Sequence, residues 1–445
     1  MGMSEKPSAS GHRGLVLGGG MTGLAAGMAS GFPVYEAADA PGGICSSYYV
    51  RPGSEERLPS VPEDGEAYRF ELGGGHWIFG GEPAVLRFIR KLTPARIYDR
   101  RSSVFFPEQH LSVPYPLQNH LGFLDKEVRV KALTEMLNAP PGKLRTMEEW
   151  LRQSFGSTLT EVFFGPFHEL YTAGLWKRIA PQDAYKSPVD FGQVIRGMFE
   201  ENSPVGYNAS FVYPAEGLDC LARRMAERCE VHFQKRALAV DVRRREVSFA
   251  DGSALKYELL VSTLPLDKMM EMTRLEVDEK PDPYTSVLVL NIGAGRGPAC
   301  PADHWVYVPG SQAGFHRVGF YSNVDVSFLP KSSRSRADRV SIYVERAFAG
   351  GTVPTAGEIR GYVEATIHEL QHWGYLGEVE VAGPTWIDVA YTWSWPGSKW
   401  RARALQRLEE NDILMVGRYA RWNFQGIADS IRDGLCVGAA VSMSA

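Results

Sequence analysis

Apolar and polar positions along the 445-residue chain change period several times, and each change marks an element. Gly14-Leu15-Val16-Leu17 is an unbroken apolar run, as expected of a strand covered on both faces. The small-residue stretch after it reads as a helix, and Pro33-Val34-Tyr35 as a short second strand ending at Glu36. The Pro-, Gly- and Ser-rich stretch 51–66 reads as a loop. Tyr68-Arg69-Phe70-Glu71-Leu72 then alternates as a strand and stops at Gly73-Gly74-Gly75-His76-Trp77. From residue 83 to about 203, apolar residues recur at helical spacing in 84–92, 128–137, 147–155 and 159–175, which predicts an inserted helical layer. Strands resume at 210–213, 231–233, 237–242, 246–249 and 259–263, with a helix over 218–228. Alternating runs at 287–292, 305–308, 318–321 and 340–344 predict an antiparallel sheet, with a helix at 356–373. A strand at 413–418 and a helix at 426–441 return to the first unit.

The fold class expected is therefore α/β: a Rossmann-like FAD-binding domain carrying an inserted helical layer and an antiparallel sheet domain. The discontinuous FAD-binding domain takes residues 12–85, 205–285 and 385–445. The helical substrate domain takes 86–204, and the sheet domain takes 286–384.

The turn after the first strand carries chemistry. In Gly18-x-Gly20-x-x-Gly23, Gly18 permits a tight turn and Gly20 lets backbone approach a pyrophosphate. Gly23 lets helix pack on sheet, and the helix N-terminus offers free N–H groups to phosphate. Glu36, at the second strand end, is placed to accept from ribose hydroxyls and would repel a 2′-phosphate, so the site suits FAD or NAD rather than NADP. Pro41-Gly42-Gly43 favours FAD, because flavoproteins of this type run the chain back past the pyrophosphate there.

Composition narrows the picture further. A net charge of −4 with mixed signs argues against nucleic acid or an anionic membrane as the main partner. No apolar run approaches the roughly 18 residues of a spanning helix, and MGMSEKPSASGHR lacks the apolar core of a signal peptide, so a soluble cytoplasmic protein is expected. Five widely spaced cysteines without a Cys-x-x-Cys read as reduced thiols. His368-Glu369-Leu370-Gln371-His372 fits a zincin pattern, but three fixed positions arise by chance and no third ligand follows at the right spacing. No metal is expected.

Near the C-terminus, Gly417-Arg418-Tyr419-Ala420-Arg421-Trp422 and Asp429-Ser430 pair a strand end with a helix start, where Arg418 and backbone N–H groups suit a flavin ribityl chain or phosphate. Together with the fingerprint, the stretches Leu72 to Phe79, Val113-Pro114-Tyr115-Pro116-Leu117-Gln118-Asn119, and Asn208-Ala209-Ser210-Phe211-Val212-Tyr213-Pro214 follow in order over nearly the whole chain. In these the chain resembles the UDP-galactopyranose mutase family, its eukaryotic branch above all.

The resemblance implies a redox-neutral mutase in which N5 of reduced FAD attacks the anomeric carbon of a nucleotide-activated sugar, so that pyranose and furanose forms interconvert. NAD(P)H is a possible external reductant. It also implies that His76 and Gly75 lie against the flavin. Tyr115 and Gln118 would meet base and ribose, Trp176 would line the sugar pocket, and Asn208 and Tyr307 would touch substrate. Arg317 would bind the diphosphate, as a planar guanidinium can. His76 and Arg317 are the catalytic candidates.

The chain departs from the family where the diphosphate binds. Only Lys186 offers charge where a second arginine is usual, and Val324, Trp395 and Phe424 stand where tyrosines hold the phosphates. Each neutral hydrogen bond lost weakens binding by roughly 0.5–1.5 kcal/mol. Either other groups compensate or the substrate differs from UDP-galactose. Two alternatives stay open: an FAD oxidoreductase of the amine oxidase or protoporphyrinogen oxidase type, and a flavin-binding module without catalysis.

Overall fold

The first apolar run forms the middle of a parallel sheet. In the computed structural model, which describes residues 14–140, 142–182, 189–200 and 208–444, the strands Val231–His232, Val34–Tyr35, Gly14–Leu17, Leu259–Ser262 and Ile413–Met415 lie side by side in that order. All are parallel. The helix Met21–Ser30 crosses from the first strand to the second and ends at Gly31, whose φ of 73° is the left-handed conformation that glycine adopts freely. Its small residues have a use: the C-terminal helix Ile427–Ser444 lies directly on it. A Cβ on Gly434 would come within 2.3 Å of the Thr22 carbonyl oxygen, and one on Gly438 within 2.5 Å of that of Ala26. The two ends of the chain thus meet backbone to backbone beside the nucleotide turn.

A second, seven-stranded sheet runs Leu376–Thr392, Tyr284–Arg296, Arg339–Ala349, Arg317–Phe320, Trp305–Tyr307, Ser102–Phe106 and Leu111–Pro114. It is antiparallel except where Trp305–Tyr307 meets Ser102–Phe106. The two-residue period of Tyr284–Arg296 sorts its side chains. Leu288, Leu290 and Ile292 enter the core beneath the helix Ala356–His372, while Val287 and Val289 join the core shared with the nucleotide domain. The chain is thus α/β with a Rossmann-like domain and an antiparallel sheet domain, as the patterning predicts.

The helical layer holds Lys126–Leu137, Met147–Leu159 and Gly165–Tyr171, joined by a π-helical turn, Thr160–Phe164. Thr146 and Glu149 form a reciprocal capping box that starts the second of these helices.

Two features differ from the patterning. The segment expected to be helical over 86–204 opens with strands: Ala95–Asp99 pairs with Ser210–Pro214, and Ser102–Phe106 and Leu111–Pro114 complete the seven-stranded sheet. Ser103-Val104-Phe105-Phe106 is a β-branched and aromatic run, and neighbouring strands override the helical spacing around it. The strand Leu376–Thr392 spans the border expected between 384 and 385. Register shifts against its neighbour break its alternation, so its period is not readable from sequence. No helix among the described residues is long and apolar enough to cross a membrane.

Candidate functional site

The glycine turn builds a cradle at the end of the parallel sheet. Gly18 has a φ of 95°, and a Cβ there would lie 2.2 Å from Thr263 Oγ1; one on Gly23 would lie 1.8 Å from the Gly18 carbonyl oxygen. Gly18 therefore makes the turn and Gly23 the helix–strand contact. Gly20 caps the helix with no side-chain partner for its first N–H groups, and a Cβ on Gly20 would find no protein atom nearer than 4.0 Å. Gly20 thus faces open space, as a backbone approaching phosphate should. The Gly42 N–H donates to the Gly19 carbonyl at 2.8 Å, so Gly42 and Gly43 close the cradle from the side. Glu36 stands at the end of the second strand and accepts from Gly19 N at 2.5 Å and Ala38 N at 2.8 Å. Gly417, Arg418 and Ser430 line the opposite wall. Asp429 does not: its carboxylate pairs with Arg432 at 3.2 Å.

This cleft adjoins a second cavity: His76, Arg418, Tyr419, Gln425 and Ile427 border both. At the junction the Gly73–His76 turn rests on the antiparallel sheet; a Cβ on Gly75 would lie 2.2 Å from the Tyr343 hydroxyl. His76 Nδ1 stands 3.1 Å from the Gly74 carbonyl, and burial pushes the ring pKa down to about 4, so the imidazole is neutral at ordinary pH. Behind the turn, Glu71 accepts from the His76 backbone N–H at 3.3 Å and from the Tyr213 hydroxyl. Burial pushes its carboxyl up to about 8.

The far wall of the cavity is aromatic. Phe167, His168 and Tyr171 project from the helix after the π turn. Tyr171 meets Tyr391 edge-on at 4.8 Å between centroids, and Tyr115 packs on Tyr307 at the same spacing. Asn208 accepts from the buried Arg100 guanidinium, which also donates to the Tyr115 carbonyl at 2.9 Å. Arg418 donates to the Ala390 carbonyl at 3.0 Å, and its guanidinium lies 4.7 Å from the Phe424 centroid. Of the expected substrate residues, Tyr115, Asn208, Tyr307, Arg317 and Phe424 line this cavity.

Others do not. Trp176 packs in the core of the helical layer and donates its indole N–H to Glu169 at 2.7 Å. Gln118 is fully buried and outside the cavity lining, and Val324 is buried in the core. Trp395 is half-buried at the edge of the helical core, donating to the Pro281 carbonyl at 2.9 Å with Lys280 and Arg178 over its ring. Trp393, two residues earlier, takes the wall position instead. Lys186 lies outside the described residues. In the zincin-like pattern, Glu369 accepts from the Ser311 hydroxyl and from Gln312 N and Ala313 N, so it closes a turn while both histidines face solvent.

The largest surprise is Arg317. Its Nη2 donates to both oxygens of Glu345 at 2.6 Å, with the Tyr391 hydroxyl at 3.4 Å and the His316 ring 3.4 Å behind the carboxylate. Burial opposes both charges. The Arg317 guanidinium nonetheless holds Glu345 down at about 2, and the carboxylate raises Arg317. The expected diphosphate arginine is one half of a net-neutral pair, its own side chain 21% exposed and that of Glu345 3%. Glu345, His316, Tyr391 and Trp393 escaped sequence reading; a lone carboxylate within the apolar Val340-Ser341-Ile342-Tyr343-Val344-Glu345 was the available signal.

A parallel sheet ending in an uncapped glycine cradle, beside an aromatic cavity under a separate sheet and helical layer, is an arrangement suited to a dinucleotide and a neighbouring small-molecule ligand. The chain belongs to the family of flavin-containing amine oxidoreductases, which residues 25–297 match. Among solved structures it is similar to reduced UDP-galactopyranose mutase, at 21% identity over 97% of this chain and 96% of that one, with a TM-score of 0.81. It is also similar to a CLA-producing fatty acid isomerase from P. acnes, at 13% identity over 97% and 99% with a TM-score of 0.56. A putrescine oxidase double mutant redesigned in cofactor binding gives 14%, 97%, 99% and 0.56. Identities this low speak for a shared fold. The cradle fits a flavin dinucleotide: a Cβ on Gly20 would meet no protein atom within 4.0 Å, which leaves room for a diphosphate, and Glu36 at the end of the second strand is the residue that would hold a ribose.

Proposed function

We propose that the chain is a flavin-dependent mutase that interconverts pyranose and furanose forms of a nucleotide-activated sugar without net redox change. The observation that supports this reading is the cavity itself. It shares the His76 turn with the glycine-lined cleft, is walled by residues of the helical layer, and presents Tyr115, Asn208, Tyr307 and Arg317 together. Bound FAD, in its reduced form, would supply a nucleophile at the anomeric carbon. The chain's own residues do the rest. Neutral His76 keeps positive charge away from the reacting face, the aromatic walls exclude water, and Asn208, fixed by Arg100, offers its amide to sugar hydroxyls.

The family match and the Arg317–Glu345 pair favour a second reading, oxidation of an amine or another reduced carbon in an aromatic cage. One experiment separates the two. Dithionite-reduced protein incubated with nucleotide sugars should yield furanose products with no net consumption of reductant. Stoichiometric oxygen uptake with amines, and no ring isomerisation, would refute the mutase reading.

A further inference from the structure

Among the described residues, the cations that line the cavity are Arg317 and Arg418. Arg418 is stacked against Phe424, Tyr391 and Tyr419. Arg317 is the group that would have to bind a diphosphate, and its position is set by the sheet. Arg317 and Glu345 face each other in the register of Arg317–Phe320 against Arg339–Ala349, so the pair is built into the strand pairing. Both carboxylate oxygens take one nitrogen, Nη2, and Arg317 Nε is buried without a partner. The carboxylate also lies against the Gly73–His76 turn, since a Cβ on Gly74 would sit 3.0 Å from Glu345 Oε1.

We propose that Glu345 is a specificity-determining residue: by cancelling the charge of Arg317 and occupying Nη2, it lowers the affinity of the cavity for doubly charged phosphate groups. A bidentate guanidinium–phosphate clamp needs two adjacent free N–H groups, and here one nitrogen is spent. An incoming pyrophosphate also meets a carboxylate 2.6 Å from the nitrogen that should attract it. Glu345 thereby shifts recognition from the phosphates to the hydroxyl-bearing part of the ligand, which the aromatic rings and Asn208 contact. The inference deepens the mutase reading by naming what limits its ligand, while its electrostatics stand on the pair alone.

The test uses flavin-loaded protein and inorganic pyrophosphate, with binding followed by calorimetry. Glu345→Gln keeps an oxygen to accept from Nη2 and removes the opposing charge, so pyrophosphate should bind about tenfold tighter through the loss of the repelling carboxylate beside Arg317. Neutral glucose should bind the variant and the parent equally. No tightening, or weaker binding by a variant of unchanged flavin content, overturns the proposal. If that variant fails to load flavin, Arg317→Met with Glu345→Leu removes the whole pair by apolar groups of similar size, a kind of exchange that buried pairs often tolerate. Its pyrophosphate affinity should then fall less than about tenfold, the loss of one charged hydrogen bond. A larger fall shows that Arg317 acts as an unopposed cation and overturns the proposal. A parent enzyme that fails to isomerise nucleotide sugars refutes the mutase reading and leaves these comparisons readable.

Discussion

Gly18 and Gly20 stand two residues apart in one turn, yet the structure predicts opposite consequences for filling them. At Gly18 a side chain must adopt a φ of 95° and place Cβ 2.2 Å from Thr263 Oγ1. The left-handed backbone costs about 1–2 kcal/mol and overpacking about 1–3 kcal/mol, so Gly18→Ala should destabilise the apo-protein by about 2–5 kcal/mol. Gly20 has φ −71° and ψ 177°, open to any residue, and its Cβ would meet no protein atom within 4.0 Å. Gly20→Val should cost the apo-protein about 1 kcal/mol or less, the difference between glycine and an apolar helix cap. Its branches would instead stand in the path of the flavin pyrophosphate. Losing one charge-assisted contact there corresponds to a roughly 10- to 150-fold rise in the FAD dissociation constant. Thermal unfolding of the apo-proteins and FAD titration by fluorescence quenching read the two effects separately. A Gly20→Val protein that binds FAD as tightly as the parent would refute the assignment of this turn to the pyrophosphate.

Three further outcomes follow from the geometry. Glu71 has a folded-state pKa of about 8 against an ordinary 4.5, so its proton is worth most below pH 4.5 and the stability it carries is lost as pH rises to 8. Glu71→Gln should remove this dependence, and denaturant unfolding should show the variant gaining on the parent between pH 5 and 8; parallel curves would contradict the burial argument. Trp176→Phe should lower stability by about 1–3 kcal/mol through lost core packing and leave the KM for a nucleotide sugar unchanged, since the indole lies in the helical core. Tyr307→Ala should raise that KM by roughly 2- to 12-fold if its ring stacks on substrate with the about 0.5–1.5 kcal/mol of an aromatic contact, and a KM equal to the parent's would remove Tyr307 from the substrate wall.

The sequence by itself determined the nucleotide half. Strand, glycine turn, small-residue helix and acid follow one another within 23 residues, from Gly14 to Glu36, and the backbone physics of each position is local, so the cradle was readable before any packing was known. Gly417, Arg418 and Ser430 line the same cleft, and the strand end and helix start that carry them are short-range signals too. What only the tertiary structure decided is the cavity. Trp393 faces it and Trp395 does not, because the strand ends at Thr392 and the chain turns away. Trp176 has the composition of a pocket residue and the environment of a core residue. Above all, Arg317 and Glu345 are 28 residues apart in sequence and opposite in the sheet. Charge is a property of sequence, but whether a charge is available to a ligand depends on what the strand register sets against it, and register is fixed by the whole sheet.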